Sequence, residues 1–199
     1  MRRRSPNLVH PGVLALAPVG ILLLPAILAA QVDKAAMMEA LDARFDHYQA
    51  LAHEIFENPE LGYLEVESAA LLQETLAEEG FAIESGVAGI PTAFTATWGS
   101  GEPVIGILGE YDALPGMSQA PVPHEEPLVE GAPGQACGHH LFGTASLAAA
   151  VAAKEWLEET GSSGTIRFYG TPAEEGGSGK VYMVRAGLFD DVDAVISWH

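Results

Sequence analysis

GTIRFYGTPAEEGGSGKVYMVRAGLFDDVDAVISWH, residues 164–199, decides the fold class. GTIRFYG (164–170) reads as a buried strand, Gly179 to Ala186 as a short helix, and DAVISWH (193–199) as a second strand. A strand, a helix and another strand in that order form a crossover unit, and crossovers build parallel sheets with helices over their faces. The pattern continues upstream. VIGILG (104–109) is a nearly all-apolar run of the kind that is covered on both faces, and the Ala-rich TASLAAAVAAKEWLEET (144–160) is the helix between it and residue 164. These alternations predict an α/β fold of three layers, a mostly parallel sheet with helices on both faces. Nearer the N-terminus, Leu41, Phe45, Tyr48, Ala52 and Ile55 recur at spacings of four and three, one apolar helix face within Asp33 to Glu57. ENPELGY ends that helix, because Pro59 disfavours helix at Asn58 and Gly62 opens a turn. A second helix is predicted over about Glu65 to Glu79 with Gly80 as its stop, then strands in FAIESGV and TAFTATW around Gly89 and Pro91. Residues 116–134 form a long loop rich in Pro and Gly, and loops of that length in a compact domain usually serve function or are disordered.

The charge balance is one-sided, 27 acidic residues against 9 basic, and three of the nine are Arg2, Arg3 and Arg4. With no basic stripe elsewhere, nucleic acid is excluded as a natural partner. MRRR followed by GVLALAPVGILLLPAILAA has the basic and apolar regions of a secretory signal peptide, with a cut expected after Ala30. The rival reading is an uncleaved membrane anchor, against which Pro18 and Pro25 argue. Either way the remainder, residues 31–199, is expected to be exported to a periplasmic or extracellular compartment. There the single cysteine, Cys137, must be buried or coordinated, since an exposed free thiol would oxidise.

In a parallel sheet, sites form at the carboxyl ends of the strands. VIGILG runs into Glu110, Tyr111 and Asp112; GTIRFYG runs into TPAEEGGSG with Glu174 and Glu175; DAVISWH ends in His199. The segment with Cys137, His139 and His140 enters the Ala-rich helix on the same side. Each element alone has an ordinary explanation: a helix start tuned to its dipole, a capped histidine, a turn acid, a buried cysteine. Together, so many ionisable groups would repel one another in one pocket, unless a divalent cation supplies the compensating charge. One glutamate could then hold the cation and the other take the proton of an attacking water as general base; spacing does not say which does which. A thiol hydrolase with Cys137 as nucleophile fits less well, because it leaves the glutamates idle. A non-catalytic metal-binding or interaction module of the same fold is the other alternative.

ENPELGYLEVES, GEYDALPGMSQ, ACGHHLFGTAS, GTPAEEGGSGKVYMVRAGLF and DVDAVISWH occur in that order. They resemble the successive blocks of the aminoacylase/carboxypeptidase-type metallo-amidohydrolases, nearest to the aminobenzoyl-glutamate hydrolase (utilization protein B) group. The resemblance covers about residues 35–199. It implies a zinc-peptidase-like catalytic domain with two divalent ions, zinc or manganese. The implied reaction is hydrolysis of an amide bond in an N-acyl amino acid, dipeptide-like or aminobenzoyl-glutamate-like substrate. It also implies that Cys137, His139, Glu175 and His199 are metal ligands, that Glu174 is the general base, and that Asp112 orients the site from behind the ligands, with Glu110 beside it. Two positions depart from the family: His140 stands where Asn or Asp is usual, and Gln135 where many relatives carry His or Gly. The family continues beyond the block ending in His199, through a smaller lid or dimerisation domain and a further His ligand. The resemblance therefore implies the N-terminal part of a larger homodimeric enzyme, and predicts negligible amidase activity from residues 31–199 alone.

Overall fold

The run Gly164–Gly170 lies at the middle of a five-stranded sheet, and the strands on its two sides run in opposite senses. The computed structural model describes residues 34–199; the predicted export segment, residues 1–30, lies outside them. The strands are β1 (Ala82–Ser85), β2 (Phe94–Ser100), β3 (Val104–Gly109), β4 (Gly164–Gly170) and β5 (Ala194–Ile196), in the order β1-β2-β4-β3-β5. β4 and β3 pair in parallel with Ile105 opposite Ile166, and β3 and β5 in parallel with Gly106 opposite Val195. β2 lies antiparallel to β4, and β1 antiparallel to β2. The expected parallel arrangement thus holds for β4-β3-β5, and the other two strands make the sheet mixed. The link from β1 to β2 is too short for a crossover, so β2 returns beside β1 antiparallel.

The helices are α1 (Phe45–Glu57), α2 (Val66–Glu78), α3 (His139–Thr160) and α4 (Gly179–Arg185). Residues 34–43 are also helical, and a turn at Arg44 divides what the apolar spacing predicted as one helix. Gly80 ends α2 at φ +87°, which lets the Phe81 N–H reach Leu76 O at 3.0 Å and the Gly80 N–H reach Ala77 O at 3.0 Å. α3 starts earlier than the Ala-rich run suggested, so His139 and His140 belong to its first turn. Among the described residues, no helix is long and apolar enough to cross a membrane.

Period-two alternation along the strands sorts side chains onto two faces. Phe94, Ala96, Ile107, Ile166 and Phe168 face α1, α2 and α3, packing on Leu51, Ile55, Leu72, Leu147 and Val151. Tyr169 and the adjoining Ala93 face the other way, onto Val87, Ile90 and Met183 of α4. Helices therefore cover both faces of the sheet at β2, β4 and β3, as the sequence predicted, whereas the edge strand β5 is exposed.

At the carboxyl ends of β3 and β4 the rings of Phe94, Phe168 and Tyr111 stack, with Phe94 5.7 Å from Phe168 and 6.2 Å from Tyr111. Glycine makes room for them. A Cβ on Gly170 would lie 2.1 Å from the Phe94 ring, and one on Gly109 2.3 Å from the Phe168 ring. The stack sits directly beneath the strand exits that carry Glu110, Asp112 and Glu174. Gly170→Ala is accordingly expected to overpack this layer and cost roughly 1–3 kcal/mol in a urea titration. An unchanged unfolding midpoint would show that the rings can move aside.

Candidate metal centre

Asp112, just beyond β3, is fully buried and touches two other segments. Its Oδ1 lies 2.9 Å from Nδ1 of His139, and its backbone carbonyl 3.0 Å from the same nitrogen. An ionised carboxylate and a carbonyl only accept, so Nδ1 carries the proton and donates. Nε2 is then left as the ligating nitrogen, the usual consequence of a carboxylate behind a metal-binding imidazole. The second oxygen of Asp112, Oδ2, accepts the backbone N–H of Glu175 at 2.9 Å. One carboxylate thus fixes the first turn of α3 against the turn after β4.

Nε2 of His139 faces a ring of acceptors. Glu110 Oε2 is 2.9 Å away, His199 Nε2 3.3 Å, Glu174 Oε2 3.8 Å and Glu175 Oε1 3.9 Å. Cys137 Sγ is 3.4 Å from His199 Nε2. The donor atoms of Cys137, His139 and His199 all lie within 4.8 Å of one another, and so do those of Glu110, His139 and Glu174. Glu110 Oε2 and Glu175 Oε1 are buried, and among the described residues their nearest polar neighbours are members of the cluster itself, His139 and Cys137. Two acceptors such as Nε2 and Glu110 Oε2 do not sit 2.9 Å apart without a proton or a cation between them.

The electrostatics show the same demand. Burial alone would lower the His139 pKa, but the Asp112 and Glu110 carboxylates outweigh it and raise it to about 10. A hydrogen bond to the Glu175 carboxylate, then burial and the charges of Glu174 and Glu110, push the Cys137 thiol up to about 11. Burial would raise the Glu110 carboxyl; contacts with His139 and Lys180 reverse this and hold it below its ordinary value. Lys180 of α4 pairs with Glu110 Oε1. Without a metal ion the cluster would hold protons. A divalent ion would displace them, and a set of thiolate, imidazole and buried carboxylate donors fits one.

All six residues singled out from the sequence converge here: Cys137, His139, His199, Glu174, Glu175 and Asp112. The two glutamates differ in setting. The Glu175 side chain is the more buried and turns towards Cys137, whereas Glu174 is 41% exposed on the open side. Glu110 is closer to His139 than the sequence argument, which left its role open, could tell. Its only signal was its place as the first residue beyond a buried strand. Lys180 gave no sequence signal, since the expected helix over 179–186 does not say which of its residues faces Glu110. His140 does not compete with His139. Its ring packs on Phe56 with centroids 5.2 Å apart, and burial, helped by His53 and His139, lowers its pKa to about 4. Gln135 braces the loop, donating to Tyr111 O at 3.1 Å and accepting the His140 N–H at 3.2 Å. An apolar cavity of about 1100 Å³ between α1, α3 and the 116–136 loop adjoins the cluster through Ala136, His140 and Trp198, but no clustered donor lines it.

Comparison with known proteins agrees with this chemistry. Residues 106–199 match the model of Peptidase family M20/M25/M40. The chain is 49% identical over 162 residues to a p-aminobenzoyl-glutamate hydrolase polypeptide of Escherichia coli, covering 81% of this chain and 34% of that protein. A solved M20-family dinuclear metal-binding peptidase from Bacillus subtilis is 29% identical, with a TM-score of 0.63 over 77% of this chain and 42% of that one. A putative aminohydrolase from methicillin-resistant Staphylococcus aureus is 25% identical, with a TM-score of 0.68 over 80% of this chain and 40% of that one. The chain spans about a third of the length of the curated relatives it matches.

The exposed position of Cys137 separates ligation from packing. Cys137→Ser should weaken zinc binding by at least about tenfold in a chelator-competition titration, a loss on the scale of disturbing a ligand's support or more. The urea midpoint of the metal-free chain should stay within about 0.5 kcal/mol of wild type. Equal losses in both measurements would return Cys137 to the core.

Proposed function

We propose that this chain, which resembles peptidase family M20/M25/M40 over residues 106–199, carries part of the catalytic centre of an enzyme that hydrolyses an amide bond in an N-acyl amino acid or aminobenzoyl-glutamate-like substrate. The observation that carries the proposal is the ring of potential ligand atoms around His139 Nε2, which includes two buried carboxylate oxygens, Glu110 Oε2 and Glu175 Oε1. Cys137, His139, Glu175 and His199 would hold divalent metal, with Glu110 within reach of the same imidazole. Two ions are proposed, zinc or manganese; the Cys137 thiolate favours zinc. When bound, the metal supplies Lewis-acid polarisation and lowers the pKa of water.

The residues divide the remaining work. Asp112 holds the His139 tautomer and, through the Glu175 N–H, the turn that presents both glutamates. Glu174, the more exposed of the pair, takes the proton of the attacking water at its carboxylate as the oxygen adds to the acyl carbon. It then gives that proton to the amine nitrogen as the C–N bond breaks. Lys180 neutralises one oxygen of Glu110, which limits the negative charge that an incoming substrate carboxylate meets. The N-terminal segment supports export of the protein, and the homodimer implied by the family resemblance belongs to the same proposal.

The test is read on the polypeptide that contains these residues, loaded with metal. Glu174→Gln should keep its metal content and lose roughly 10²–10⁴-fold in turnover of an N-acyl amino acid. Glu175→Gln should lose metal as well as rate. If Glu174→Gln came out metal-free and Glu175→Gln stayed loaded, the two roles would be reversed; turnover unaffected by a chelator would sink the metal-dependent reading.

A further inference from the structure

We propose that Glu65, a carboxylate outside the donor cluster, is a positioning residue that holds Glu174 in place through the backbone turn before it. This inference rests on the reading of Glu174 as general base. Glu65 is fully buried and forms no salt bridge among the described residues. A buried carboxylate without a cation is costly unless hydrogen bonds replace its water. Its Oε1 accepts the Ala173 N–H at 2.8 Å and its Oε2 the Thr92 hydroxyl at 2.9 Å, and the N–H groups of Tyr63 and Glu65 itself also face it.

The direction of the side chain is informative. Glu65 stands at the N-cap of α2 but makes no capping bond to that helix. Glu60 caps it instead, accepting the N–H groups of Glu67 at 3.0 Å and Ser68 at 2.8 Å. Glu65 turns away from its own helix and reaches the residue preceding Glu174.

That residue needs holding. Ala173 adopts a left-handed conformation, φ +55° and ψ 44°, which an L side chain occupies only when its surroundings enforce it. Three contacts from the 60–65 segment enforce it: the Glu65 carboxylate on the Ala173 N–H, Gly62 packed so closely that a Cβ there would lie 2.9 Å from Ala173 Cα, and the Tyr63 hydroxyl donating to Gly177 O. The same segment is tied to the exit of β3, where the Ala113 N–H donates to Glu60 O at 2.8 Å. On the far side, Asp112 Oδ2 holds the Glu175 N–H. The N–H groups on either side of Glu174 are therefore each held by a buried carboxylate from a different element. The stretch ENPELGYLE, whose local pattern marks the end of one helix and the start of the next, braces the base.

If the role is geometric, length matters more than charge. Glu65→Asp keeps the charge but is one methylene too short to reach Ala173; Glu65→Gln keeps the length and an acceptor oxygen. In the metal-free full chain, amide hydrogen exchange at Ala173 should quicken by about tenfold or more in Glu65→Asp and stay near wild type in Glu65→Gln, with β3 and β4 amides unchanged in both. In the metal-loaded polypeptide, Glu65→Asp should lower kcat by roughly 10–100-fold with KM within about twofold, the scale of a small misplacement of a catalytic group. Glu65→Gln should keep at least about a third of wild-type kcat on the same scale. Unchanged Ala173 exchange in Glu65→Asp, or a Glu65→Gln variant as impaired as Glu65→Asp, would overturn the inference. The exchange measurement needs no turnover. It therefore decides on Glu65 even if Glu174→Gln proves active and the base assignment fails.

Discussion

Asp112 accepts the Nδ1 proton of His139 on one oxygen and the Glu175 N–H on the other, and the centre depends on that double contact. It joins three segments that are far apart in the chain: the exit of β3, the first turn of α3 and the turn after β4. Because the carboxylate occupies Nδ1, the other imidazole nitrogen is left for a proton or a metal ion and points at Glu110, Glu174, Glu175 and His199. A site assembled from strand ends has few ways to fix the rotation of a ring. A buried acceptor behind it is the most economical one.

Negative charge is the second constraint. Glu110, Asp112, Glu174 and Glu175 surround two imidazoles, His139 and His199, and one thiol, with Lys180 as a basic side chain paired to Glu110. In the absence of metal the site keeps protons on His139 and Cys137 far above their usual range. Proton retention and cation affinity are two expressions of the same field, since both relieve repulsion that burial magnifies. The surrounding fold must therefore hold these groups together against their own repulsion. The ring stack beneath the strand ends and the 60–65 segment beside the 173–177 turn supply that rigidity.

The coarse architecture was legible because hydrophobic pattern is local. VIGILG, GTIRFYG and the Ala-rich helix declare their periods without reference to anything distant, and the strand exits follow from them. The convergence of Glu110, Asp112, Glu174, Glu175 and His199 on one edge could be read for that reason. The antiparallel sense of β2 beside β4 could not. Gly164 opposite Ser100 is a long-range pairing, and the apolar runs are equally compatible with either direction.

The sequence by itself thus determined an α/β fold, the edge where the chemistry gathers and the residue types that could bind metal. Only the tertiary structure decided the roles. His140 and His139 are neighbours with nearly identical local signals, yet one packs on Phe56 and the other enters the cluster. Glu65 looks like a helix start and acts on a turn more than a hundred residues away. Orientation, partner and protonation depend on what the fold places within about 3–4 Å, the range over which hydrogen bonds and close charges act. One-dimensional spacing carries no information at that range between distant segments.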